Sequence, residues 1–193
     1  AWRRHGAAVV LAAAADPQLR LRGGGHPGVP GLALNHEPPN AVTSPDHWLK
    51  LQRLVHFGDT DAAGVMHFHQ LLRLCHEAWE ESLERYGIAA GTVFPGCRGQ
   101  RQWPAVALPV VHCQADFLRP VHGGDRLDVH LKPQRIDPGC FEIRTTFQLE
   151  TTVVASGLIR HLAIRSDSRQ RCLLPEALDL WLEASSLGEV SSL

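Results

Sequence analysis

No charge of one sign dominates this chain. Its 193 residues carry 19 Lys and Arg against 20 Asp and Glu, a net charge of −1 with histidine neutral. That balance excludes an overall basic field of the kind that binds nucleic acid or an anionic membrane. An anionic small ligand would need a local cluster of Arg, Lys and His. No apolar run approaches the ~20 residues that span a bilayer. No C-x-x-C pair is present, and the cysteines (Cys75, Cys97, Cys113, Cys140 and Cys172) are scattered and odd in number. This is neither a disulfide framework nor a zinc ribbon, and it suits a reducing compartment, so the cytoplasm is the expected location. What remains is ordinary for one globular domain with a tail, 44% hydrophobic and 20% charged. The 12 histidines are many for the length and leave the charge sensitive to mild acid.

Residues 1 to 45 differ from the rest of the chain. "AWRRHGAAVVLAAAAD" is basic and then alanine-rich, and the next stretch is dense in Gly and Pro without periodicity. Two arginines before a short apolar stretch, with Ala13-Ala14-Ala15 after it, have the layout of a secretory signal. The stretch is mostly alanine, however, with Val9, Val10 and Leu11 its strong hydrophobes. That favours a flexible extension outside the fold. Export directed by this segment would overturn the cytoplasmic assignment. The folded domain is expected over 46–185, with 186–193 as a tail.

From Leu49 the pattern sharpens. "LKLQRLVHF" alternates, with Leu49, Leu51, Val55 and Phe57 on one face, and predicts a half-buried strand. Gly58 to Gly64 is the turn. From about His67, Phe68, Leu71, Leu72, Cys75, Trp79, Leu83 and Tyr86 form one helical stripe of about 20 residues, with Gly87 as its C-terminal stop. "GTVFPGCRGQRQWP" reads as a loop. Four strand patterns come after it: "AVALPVVHCQADFLRP", "DRLDVHLKPQRI", "CFEIRTTFQLE" and "TTVVASGLIRHLAIR". "HGGD" and "DPG" separate the first three as hairpin turns. Pro175 then opens a short helix with Leu178, Trp181 and Leu182 on one side. The predicted class is α+β, one long helix wrapped by a five-stranded antiparallel sheet with a short C-terminal helix. Its edge strands invite a second subunit.

The stretch "LVHFGDTDAAGVMHFHQLL" places two carboxylates, Asp59 and Asp61, in a turn between the strand and the long helix. In an arbitrary protein, acids in a D-x-D-x-x-G turn cap backbone donors. The helix start beyond the turn has no Ser, Thr, Asp or Asn between Val65 and Gln70 to cap it, so its first N–H groups are open to a ligand. Gly64 fits a close approach of backbone to substrate. Thr60 could bond locally or touch substrate. His67, His69 and His76 invite a metal reading, but no Cys or acid completes a ligand set of zinc spacing, so pocket-lining or satisfied histidines are expected and no metal.

A strand ending in F-G-D-T-D-A-A-G-V, then a long helix, then four strands, resembles the hotdog-fold acyl-CoA thioesterases of the 4-hydroxybenzoyl-CoA thioesterase group, over about Trp48 to Ala184. Within that group, "GDTDAAGVMHFHQLL", "LCHEAWEESLERYG" and "ALPVVHCQADFLRPVHGGD" are most similar to the cyanobacterial and plastid-type 1,4-dihydroxy-2-naphthoyl-CoA hydrolases of phylloquinone biosynthesis. The resemblance implies hydrolysis of an aromatic acyl-CoA. Asp61 would act as nucleophile or general base, and the backbone N–H of Phe68, with His67 beside it, as oxyanion donor. Asp59, Thr60, Gly64 and His69 would line the substrate pocket, Asp59 keeping its turn-forming role. Coenzyme A would enter as part of the substrate and leave as a product, with no cofactor. Its phosphates would meet Arg119, His122 and Arg126, with Arg98 and Arg101 as further candidates. Trp79 and Trp103 could border the acyl ring, although Trp79 lies on the helix stripe and reads as core. A homo-oligomer, a dimer of dimers, is implied as the assembly. A thioesterase for another aryl or short-chain acyl-CoA, or a non-catalytic acyl-CoA-binding hotdog module, remain the alternatives.

Overall fold

The computed structural model describes residues 44–187 apart from Gly99 and Arg101, so the expectations for the N-terminal extension and most of the tail lie outside the described residues. A one-turn helix α1 (Asp46–Leu49) leads into strand β1 (Lys50–Leu54). A single 3-10 turn, Phe57–Asp59, precedes helix α2 (Phe68–Tyr86). Helix α3 (Ala90–Val93) comes next, then β2 (Val106–Ala107), β3 (Val110–Phe117), β4 (Arg126–Asp137), β5 (Cys140–Leu149), β6 (Thr152–Leu162), β7 (Ile164–Arg165) and helix α4 (Glu176–Ser186). The main sheet is antiparallel throughout, in the order β1-β4-β5-β6-β3, and β2 pairs with β7 in a small second sheet.

Helix α2 lies against one face of this sheet. Paired residues Phe141 and His161, Ile143 and Ile159, Thr145 and Gly157, and Phe147 and Ala155 make the surface beneath it. Leu71, Leu74, Cys75, Ala78, Trp79, Ser82 and Leu83 are the buried residues of the helix. Trp79 packs on Phe141 and His161, with ring centroids 5.8 and 4.3 Å away. One turn earlier, Gly157 lets the helix sit close, because a Cβ there would overlap the Cys75 sulfur. Each large side chain fully buried this way contributes about 1.5–3 kcal/mol. Gly87 ends the helix in the left-handed region (φ 105°), its N–H meeting the carbonyls of Leu83 and Glu84. Helix α4 closes the open side of the core, and Trp181 donates to Ser82 Oγ at 3.2 Å.

The structure shortens or divides three predicted strands. Leu49 ends α1 and Phe57 sits in the 3-10 turn, 90% exposed, so the alternation read through residue 57 outlasts the strand by three residues. "AVALPVVHCQADFLRP" breaks at Leu108-Pro109 into β2 and β3, since proline cannot continue the ladder. The last pattern breaks at Ala163 into β6 and β7. The loop after Gly87 also holds the short α3. Strand β3 is one edge of the main sheet, and seven of its eight residues are exposed.

His161 is buried beside this break. Its Nδ1 donates to the Leu108 carbonyl at 2.8 Å, tying the β2–β3 corner to β6. Burial, with His76 nearby, pushes its pKa down from 6.5 to about 4 despite that hydrogen bond. The unfolded chain therefore takes up a proton at His161 that the folded chain refuses, and the stability held by the neutral ring, complete above pH 6.5, is lost as pH falls toward 4. Thermal midpoints measured across this window should fall less steeply for His161→Gln than for the wild type. Parallel curves would contradict this assignment.

Candidate active site

The turn between β1 and α2 is built by backbone hydrogen bonds at both ends. The Asp61 N–H donates to the Val65 carbonyl at 2.9 Å and the Gly64 N–H to the Asp61 carbonyl at 3.0 Å, with Gly64 at φ 76°. Only a residue without a Cβ adopts that conformation freely. Met66 N–H then meets the Val121 carbonyl at 2.7 Å, and Val65 bridges to His122, so the turn is laid against the segment that leaves β3.

The two carboxylates have opposite surroundings. Asp59 is buried, 6% exposed. Its Oδ2 accepts the His56 N–H at 2.8 Å and its Oδ1 accepts Arg73 Nη2 at 2.6 Å. It is a bolt inside the turn and lies outside the pocket, which corrects its expected place in the pocket wall. Asp61 is exposed, and its Oδ1 accepts the Ala63 N–H at 2.8 Å. Among the described residues no cation is paired with it, and it lines the cleft described next.

That cleft, about 480 Å³, is lined by Asp61, Val65, Met66, His67, Phe68 and the run Phe117-Leu118-Arg119-Pro120-Val121. Helix α2 opens onto it. His67 is the N-cap residue and makes no side-chain cap. The His67 N–H is taken by the Asp59 carbonyl at 2.9 Å, so His67 cannot serve as oxyanion donor, a correction to the expected pair. The Phe68 N–H has no acceptor among the described residues and stands at the positive end of the helix dipole.

The other expected residues divide. Arg119 is in the cleft wall. His122 and Arg126 are exposed beside it, His122 on the turn before β4 and Arg126 opposite Leu54 at the start of β4, and neither lines it. Thr60 Oγ1 donates to the Phe57 carbonyl at 2.8 Å, a local bond, and Gly64 shapes the turn without lining the cleft. His69 is outside it also, its Nδ1 2.6 Å from Nδ1 of His67. Arg98 is exposed and away from the cleft, and Arg101 lies outside the described residues. Trp79 is core at 1% exposure, while Trp103 is exposed and outside the cleft. Among the described residues no group of three His, Cys, Asp or Glu side chains is placed to hold a metal. Sequence reading missed Phe117 and Leu118, because an apolar strand end reads as core until the strand is seen to be an edge. It also missed Arg73, whose partner is fourteen residues away.

An exposed carboxylate and an unfilled backbone donor on one apolar cleft can hold and attack a carbonyl. Residues 55–182 match the thioesterase-like superfamily. A 1,4-dihydroxy-2-naphthoyl-CoA hydrolase of Parasynechococcus marenigrum is 81% identical over 152 residues, 79% of this chain and 100% of that protein. The crystal structure of a candidate thioesterase from Prochlorococcus marinus superposes with a TM-score of 0.72 at 57% identity, covering 74% of this chain and 99% of its own. A 1,4-dihydroxy-2-naphthoyl-CoA thioesterase from Synechocystis, 28% identical, gives a TM-score of 0.60 over 69% of this chain and 94% of that one. A family match that takes in the turn, the long helix and four of the five strands of the main sheet makes this chain a member of the thioesterase-like superfamily.

Proposed function

We propose that this protein hydrolyses 1,4-dihydroxy-2-naphthoyl-CoA to 1,4-dihydroxy-2-naphthoate and CoA, a step of phylloquinone biosynthesis. The observation that carries the chemistry is that Asp61 and the uncapped start of α2 line one cleft. The thioester carbonyl oxygen docks on the Phe68 N–H, where charge develops as the carbonyl carbon becomes tetrahedral. Asp61 either adds to that carbon, expelling the CoA thiolate and leaving a mixed anhydride for water to cleave, or takes a proton from the attacking water. Phe117, Leu118, Pro120 and Val121 offer an apolar wall to a flat aromatic acyl group. Arg119 at the same wall offers a cation to the CoA phosphates. CoA is substrate and product, and the scheme needs no cofactor.

The same reading carries a homo-oligomer. Val110, Val111 and Phe117 of edge strand β3, with Leu118 beyond it, are exposed at 46, 52, 38 and 60%. An unpaired edge of this kind is a ready surface for a second copy. Five free thiols suit the reducing cytoplasm, and among the described residues no helix is long and apolar enough to cross a membrane.

Thiol release from a panel of 1,4-dihydroxy-2-naphthoyl-, 4-hydroxybenzoyl-, benzoyl- and short aliphatic CoA thioesters tests the substrate. The naphthoyl ester should be preferred, and Asp61→Asn should lower kcat about 10²–10⁴-fold. Broad turnover that still needs Asp61 would remove the naphthoyl substrate and keep the chemistry. No turnover of any thioester would favour a binding module.

The oxyanion donor has its own test. Phe68 is the first residue of α2, the position where proline fits a helix, and His67 before it is already extended (φ −68°, ψ 138°). Phe68→Pro should therefore keep the thermal midpoint near that of Phe68→Ala while lowering kcat a further ~10²-fold or more, because only proline removes the N–H. Equal kcat in the two variants would exclude this donor.

A further inference from the structure

We propose that Arg73 is a positioning residue for this hydrolysis, clamping the turn that carries Asp61 to the helix that carries the Phe68 N–H. The inference rests on the function proposed above and goes beyond it, because Arg73 is not in the cleft wall.

Asp61 itself is held lightly. Its carboxylate has one backbone bond, from Ala63, and its backbone closes a turn of five residues with Val65. The aim of the carboxylate therefore depends on what anchors that turn, and the anchor is Asp59. Besides the local bond from the Asp59 N–H to the His56 carbonyl, three bonds converge on Asp59: Oδ2 to the His56 N–H, the main-chain carbonyl to the His67 N–H, and Oδ1 to Arg73. The first fixes the chain leaving β1, the second fixes the residue before α2, and the third fixes both to the second turn of α2.

The guanidinium is built for that task. Its Nε donates to Gln70 Oε1 at 2.5 Å, Nη1 to Glu77 Oε1 at 2.5 Å, and Nη2 to Asp59 Oδ1 at 2.6 Å. All three nitrogens are committed, two of them to partners on its own helix, so the fork is set before it meets Asp59. A lysine, with a point charge on a flexible stem, cannot hold three acceptors in one plane. The Asp59 side chain is 9% exposed, so the pair is sheltered at that end, although the Arg73 side chain is 42% exposed. The carboxylate and the N–H must stay in register across the reacting carbonyl, and a misplacement of roughly 1 Å in such a geometry costs on the order of 10²-fold in rate.

The test compares wild type, Arg73→Lys and Arg73→Met in the full chain. With 1,4-dihydroxy-2-naphthoyl-CoA, kcat should fall on the order of 10²-fold in Arg73→Met, with Arg73→Lys recovering part of it. KM should stay within about threefold, because no substrate contact is lost. A rise in KM at constant kcat would make Arg73 a substrate-binding residue and overturn the proposal, as would a kcat equal to wild type. Amide exchange supplies a readout independent of turnover. The His67 and Ala63 amides should exchange at least about tenfold faster in Arg73→Met, while Gly87 and Ile88 at the far end of α2 keep their rates. Unchanged exchange at His67 and Ala63 overturns the clamp, and equal acceleration at Gly87 reduces it to general destabilisation. A wild type that releases no thiol overturns the hydrolase reading, and the exchange comparison still decides whether Arg73 ties the turn to the helix.

Discussion

Helix α2 begins with an N–H that nothing in the described residues accepts, and the proposed chemistry depends on that bond being left open. An unmatched donor at a helix start normally attracts a side-chain cap or water. Here the cap position is His67, whose ring turns toward His69 and whose own N–H is spent on Asp59. The rest of the fold holds this helix end in place. Trp79, Cys75 and Leu71 bury the helix on the sheet, and Gly157 removes the one Cβ that would lift it. The Trp181–Ser82 hydrogen bond ties the helix to α4. A donor on a helix fixed along its length needs little reorganisation as charge develops on a carbonyl oxygen, which is the condition for electrostatic stabilisation.

The turn divides two chemically identical side chains between two jobs. Asp59, with an arginine and a main-chain N–H on its oxygens, is a structural anion buried at low cost because both oxygens are satisfied. Asp61, two residues on, keeps its carboxylate in the open cleft. The spacing sets this division. Asp59 ends a 3-10 turn facing the helix, and Thr60, bridged to Met66, turns the chain so that Asp61 faces the other way.

Much of this was legible before any coordinates. The i, i+3, i+4 stripe from Phe68 to Tyr86 and the Gly87 stop define α2 because a long amphipathic helix repeats its signal many times. The turn and the missing cap were legible for the same local reason, whereas Asp61 was singled out from the two acids by the family resemblance. What escaped is non-local. Alternation through Val55 and Phe57 could not reveal that the chain leaves the sheet at Leu54, because that exit is made by Asp125 and Gly124 bonding Val55 from the β3–β4 turn. The buried acid, Asp59, is bonded by Arg73, fourteen residues downstream, a partner that no local pattern shows. Strand β3 reads as apolar core, yet it is a sheet edge, and its last residue, Phe117, with the four residues after it forms one wall of the cleft. Sequence pattern carries the period of an element and not its neighbours.

The central claim is that one carbonyl sits between Asp61 and the start of α2. The most direct measurement is a crystal structure of Asp61→Asn with 1,4-dihydroxy-2-naphthoyl-CoA bound and uncleaved. The thioester oxygen should lie ~3 Å from the Phe68 nitrogen, with the residue 61 side chain against the carbonyl carbon and the acyl ring on Phe117 and Leu118. An acyl group bound elsewhere, or a carbonyl turned away from the helix start, would contradict it.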